Sequence, residues 1–73
     1  MNNPFLKDFG LRIKSLRLQK GWSQEQLGQI AELDRTYISG IERGLRNVSL
    51  INLERLAIAL NVEPAELLNF SEH

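Results

Sequence analysis

The chain has no cysteine, two prolines and a single histidine, which is its last residue, His73. Without cysteine there can be no disulfide, thiolate nucleophile or thiolate metal site, and a reducing cytosol is the natural compartment. One terminal histidine leaves no serine– or cysteine–histidine–carboxylate set, and His73 reads as a solvated tail rather than a ligand. No apolar run approaches the roughly 20 residues that span a bilayer, and no signal-peptide pattern opens the chain. No stretch alternates apolar and polar residues long enough to suggest a sheet. There is no glycine-rich phosphate loop and no metal-ligand spacing. Glu25, Glu32, Asp34 and Glu42 are scattered over helix starts and ends rather than paired across a cleft. An enzyme is therefore not expected, nor a cofactor, a metal, a small-molecule ligand or a membrane partner.

Net charge is also lacking, with nine Lys/Arg against nine Asp/Glu, which taken alone argues against a polyanion partner. The distribution argues otherwise. From Met1 to Asn47 eight basic residues stand against five acidic ones, and from Val48 to His73 one stands against four. A net +3 front and a net −3 back leave room for one basic face that the average conceals.

What the chain does have is a series of helix starts of one design. In the stretch Trp22 to Gly44, WSQEQLGQIAELDRTYISGIERG, Trp22 precedes Ser23 as N-cap, with Gln26 third and Leu27 fourth in the helix. That is a capping box and a hydrophobic staple. Eleven residues on, Leu33 precedes Asp34 as N-cap, with Ile38 fourth. Room remains for about two turns and a short corner, the dimensions of a helix-turn-helix over about residues 23–43. The first of its helices should run from about Gln24 to Ala31 with Leu27 and Ile30 inward. The second should run from about Arg35 to Arg43 over Ile38 and Ile41, stopping at a left-handed Gly44. Gly28 costs helix propensity, but a position without a side chain lets the next helix cross closely.

The same signals place the other elements. Asn3 and Pro4 open helix one, where Phe9, Ile13 and Leu16 form the core stripe, extended backward by Leu6, and Gly21 closes it. Its basic residues, Lys14 among them, read as a solvated face. Ser49 caps helix four, Leu50 to Leu60, with Leu53, Leu56, Ala57 and Leu60 inward and Asn61 as the residue that ends it. Pro64 opens a short helix five carrying Leu68, with Phe70 beyond it. The expectation is an all-α fold, a compact five-helix bundle forming one domain over residues 1–73. At that length a single core is marginal but workable. Ile51, Ile58, Leu68 and Phe70 make up more apolar surface than a lone domain needs, and they point to a homodimer.

A helix-turn-helix sets the N-terminal part of its second helix in the major groove of DNA. The outward residues there are Arg35 and Thr36, with Ser39 one turn later. Arginine can donate twice to guanine O6 and N7, and threonine offers a hydroxyl and a methyl that suits thymine. Gln24, Tyr37, Arg43, Arg46 and Asn47 lie around that helix as candidate phosphate donors. The expected partner is double-stranded operator DNA. The competing expectation is a protein-interaction module, such as an antitoxin or adaptor, built on the same scaffold.

At this point a resemblance enters. SQEQLGQIAELDRTYISGIERGLRNVSL resembles the Cro/repressor (Xre-type) helix-turn-helix domains, and the likeness covers the chain from about Phe9 to Leu68. LDRTYISGIERG followed by RN is similar to the small controller proteins of bacterial restriction–modification systems. The resemblance implies a lambda-repressor-like fold and a regulator acting as a homodimer on a palindromic operator. By position it implies a phosphate contact for Gln24 and base-reading roles for Arg35, Thr36 and Ser39. It also implies that Arg17, late in helix one, pairs with Glu42. The family usually has alanine at Gly28 and glycine at Glu32, so a left-handed Glu32 would cost roughly 1 kcal/mol.

Overall fold

Each helix begins where a short polar side chain can accept from a backbone N–H that would otherwise go unpaired. In the computed structural model, which describes residues 3–70, Asn3 Oδ1 accepts from the N–H groups of Phe5 and Leu6 and opens α1, Pro4–Gln19. Ser23 and Gln26 form a reciprocal capping box at the start of α2, Gln24–Ala31, with bonds of 3.0 and 2.8 Å. Asp34 caps α3, Arg35–Glu42, by accepting from the Thr36 N–H at 2.8 Å. Ser49 caps α4, Leu50–Leu60, through the Asn52 N–H.

The stops are set by left-handed residues just past the helices. Gly44 has φ +76°, and Arg43 caps α3 rather than continuing it. Asn61 ends α4 at φ 59°, ψ 47°. Glu32 turns α2 into α3 at φ 61°, ψ 42° without glycine's freedom.

The regular elements among the described residues are all helices, but the fifth is not an α-helix. Pro64–Leu68 is a 3-10 turn, so the five-helix expectation becomes four α-helices and this turn. Only five residues lie between Glu63 and Asn69, and the bonds that close are Glu66 N–H to Glu63 O and Asn69 N–H to Glu66 O, at 2.9 and 3.2 Å. Segments this short favour such i to i+3 bonds. Arg12 Nε donates to the Glu66 carbonyl at 2.9 Å and so ties the turn to α1.

Phe9, Ile13 and Leu16 of α1 meet Leu27 and Ala31 of α2, Ile38 and Ile41 of α3, and Leu56, Ala57 and Leu60 of α4 in one core. Leu67 closes it from the 3-10 turn. Each fully buried leucine or isoleucine in this set contributes about 1.5–3 kcal/mol.

Phe70 belongs to that core as well, 7% exposed, and not to the outer apolar surface assigned to it from sequence. Its ring packs edge-on against Phe5 at 5.3 Å, so Phe70 lies back against the start of α1. Ile30 departs in the other direction, 49% exposed rather than inward. In an eight-residue helix Leu27 and Ala31 take the buried face, and Ile30 falls beside it.

Backbone meets backbone at two crossings. A Cβ on Gly28 would lie 2.6 Å from the Leu33 carbonyl oxygen, and one on Gly10 would collide with the Ile41 carbonyl and come within 2.7 Å of Glu42 O. Both glycines cost helix propensity, and both let α3 seat deeply against α2 and α1.

Candidate nucleic-acid interface

The placement of α3 follows from its two faces. Ile38 and Ile41 are fully buried, while Arg35 and Thr36, in the first turn, are exposed. Ser39, one turn further, is half-buried on the same side. Eight residues give a rod about 12 Å long, comparable to the roughly 12 Å width of the major groove.

At the opposite end of α3 lies the one buried ion pair among the described residues. Arg17 Nε and Nη2 donate to Glu42 Oε2 and Oε1 at 2.7 and 2.9 Å, a two-pronged pairing, and Arg17 Nη1 donates to the Trp22 carbonyl at 2.7 Å. Side-chain exposures are 8% and 3%. The hydrogen bonds to Glu42 hold the guanidinium above its ordinary pKa, against the opposing effect of burial and with help from the carboxylate's charge. The pair bolts the end of α1 to the end of α3.

Gln24 adds a third partner. Its Nε2 donates to Glu42 Oε1 at 3.1 Å, which leaves its other amide hydrogen and its carbonyl oxygen available. The side chain expected at a phosphate is thus held at α2's first residue by the core ion pair.

Comparison with known proteins places this geometry. A helix-turn-helix family profile matches residues 13–67. The chain belongs to the Xre-type helix-turn-helix family. It is 49% identical over 72 residues to the control protein C.BamHI of Bacillus amyloliquefaciens, covering 97% of this chain and 89% of that protein. The crystal structure of the restriction–modification controller protein C.AhdI from Aeromonas hydrophila superposes with a TM-score of 0.84 at 55% identity, over 85% of this chain and 94% of that one. The controller protein C.Esp1396I, solved as a tetramer in complex with its natural 35-base-pair operator, gives 0.83 at 41% identity over 90% and 87%.

The other candidate residues of this helix-turn-helix chain fall in three places. Arg43, Arg46 and Asn47 are exposed on the α3–α4 connection. Tyr37 is half-buried between α3 and α4, its ring 5.6 Å from the Arg46 guanidinium carbon. Its hydroxyl oxygen accepts from Asn52 Nδ2 at 3.1 Å. Asn52 was not singled out from sequence, because it shares no helix or capping motif with Tyr37. On the outer side of α4, Ile51 and Ile58 are 63% and 72% exposed, and Leu68 of the 3-10 turn is 44% exposed. Leu50, at 82%, adds to that surface and was also missed. His73 lies outside the described residues. Among the described residues no group of acidic, cysteine or histidine side chains could hold a metal ion, and no helix is long and apolar enough to cross a membrane.

Proposed function

We propose that this chain is a sequence-specific, DNA-binding transcriptional regulator of the bacterial cytoplasm, a single domain working as a homodimer on a palindromic operator. It works in the manner of the controller proteins of restriction–modification systems, and it carries no catalytic activity. One observation carries the reading. Arg35 and Thr36 stand exposed at the capped start of a helix whose opposite face is fully buried, so a base-reading edge is held at fixed height above a rigid core. The likeness to C.BamHI, and to C.Esp1396I on its operator, supports the same conclusion.

In this reading Arg35, Thr36 and Ser39 read base edges. Gln24, Tyr37, Arg43, Arg46 and Asn47 hold phosphates, and Ile51, Ile58 and Leu68 contribute to the contact between subunits. Each subunit places α3 in one major groove, with half-sites one turn, about 34 Å, apart.

The test begins with duplexes selected by the protein from a randomised library and titrated across salt concentrations. Affinity falls steeply with salt as phosphates are neutralised. Arg35→Ala loses about 1–3 kcal/mol on the selected duplex and relaxes preference at one base pair per half-site. Arg46→Ala weakens all duplexes evenly and lowers the salt slope by about one per subunit. Equal losses for Arg35→Ala on selected and scrambled duplexes would remove its base-reading role.

A further inference from the structure

Tyr37 is gripped from two sides. Asn52, in the first turn of α4, donates from Nδ2 to the phenol oxygen at 3.1 Å. Asn52 is itself placed by the α4 cap, since its N–H donates to Ser49 Oγ at 3.1 Å. On the other side the Arg46 side chain runs over Gly40, where an added Cβ would lie 3.0 Å from Arg46 Cγ, and ends on the Tyr37 ring. Gly40 therefore makes the groove in which Arg46 lies.

A phenol hydroxyl has one hydrogen to give and two lone pairs to receive with. Because Asn52 supplies the donor in that bond, the phenol keeps its own hydrogen for a further acceptor. Beside it the stacked guanidinium carries a full positive charge and spare N–H groups. An outward hydroxyl donor next to a fixed cation matches one phosphate oxygen pair.

We propose that Asn52 is a positioning residue for DNA binding: by donating to Tyr37 it fixes the phenol as an outward donor, and Tyr37 with Arg46 clamps one backbone phosphate per subunit. The inference rests on the DNA-binding reading above, but assigns Asn52 a role that does not require it to touch DNA.

A double-mutant cycle on the full chain tests it, using a duplex selected by the wild-type protein. Asn52→Ala and Tyr37→Phe each weaken binding roughly three- to tenfold, the worth of one hydrogen bond. The double variant binds no worse than Tyr37→Phe alone, because Asn52 acts through the hydroxyl. Asn52→Asp is the second variant: it keeps the shape but can only accept, so the phenol hydrogen turns inward. Its loss shrinks when Tyr37→Phe is also present. Melting curves without DNA separate this from a structural role: Asn52→Ala and Tyr37→Phe melt within a few degrees of wild type while binding falls, whereas a structural role would lower the melting temperature in step with the affinity. Losses that multiply in the double variant, or an Asn52→Ala protein that binds as wild type, overturn the proposal while leaving DNA binding intact. A wild-type protein that binds no duplex overturns the DNA-binding reading and this inference together.

Discussion

Removing the Glu42 carboxylate would strand a buried charge. Glu42→Ala takes three acceptor contacts away at once: two from Arg17, at 2.7 and 2.9 Å, and one from Gln24, at 3.1 Å. Gln24 is half-buried and can turn to water. Arg17 cannot, since the residue is 7% exposed and keeps only the Trp22 carbonyl. Nor can it shed its charge. In the wild type the bonds to Glu42 raise its pKa above the unfolded value, so the pair's contribution is fully present below that value and is lost only in strong alkali. Without Glu42 the guanidinium still stays protonated, as arginine does not deprotonate in proteins. Leaving a buried charge without its partner costs about 3–5 kcal/mol. For 73 residues the whole stability is on the order of 4–11 kcal/mol, so the loss consumes a large share of it. At about 4–8 °C per kcal/mol the melting temperature drops by roughly 12–40 °C. Urea unfolding followed by circular dichroism measures it, at several protein concentrations because self-association adds to apparent stability. The control is Arg17→Met with Glu42→Leu, which removes both charges and stays within about 1 kcal/mol of wild type. A loss under 1 kcal/mol for Glu42→Ala, or a double variant less stable than that single one, would refute the reasoning.

Two further outcomes follow from the packing. Gly28→Ala raises helix propensity by about 1 kcal/mol yet destabilises by roughly 1–3 kcal/mol net, because its Cβ would press on the Leu33 carbonyl; a rise in melting temperature would mean that the corner has slack. Ile58→Lys, at a side chain 72% exposed, leaves the subunit folded by circular dichroism but shifts sedimentation equilibrium toward monomer and weakens operator binding. An unchanged dimer would move the subunit contact elsewhere.

The parts of this fold written in the sequence are those decided within a few residues. Asn3, Ser23, Asp34 and Ser49 cap their helices through N–H groups two or three positions away, so a short window contains both partners. Gly44 and Asn61 end helices for equally local reasons. What could not be read depends on partners far along the chain. Phe70 is buried because Phe5, at the other end, waits for its ring, and no periodicity carries that information. The 3-10 character of Pro64–Leu68 depends on the fold leaving room for five residues only. Ile30 had the spacing of a core position, yet α2 is short enough that Leu27 and Ala31 fill its inward face.

The same distinction explains the candidate site. The outward edge of α3 is a consequence of helical geometry once Ile38 and Ile41 are inside, so Arg35 and Thr36 are legible without coordinates. The devices that hold that edge fixed do not follow from helical geometry, because each joins residues from different helices. Of them only the Arg17–Glu42 pair was anticipated, through the family resemblance, and the structure shows it. Arg17 and Glu42 lie 25 positions apart, Gln24 and Glu42 18, and Tyr37 and Asn52 15. Glu42 is where two of these links meet: through it α1 and the start of α2 are both tied to the end of α3. A helix clamped at its far end by an ion pair, and at its near end by α4 through Tyr37, loses little freedom when it enters a groove. Binding then need not supply the ordering that a looser reader would require. The polar links contribute less to total stability than the apolar core does; their effect is to hold α3 at one angle and depth.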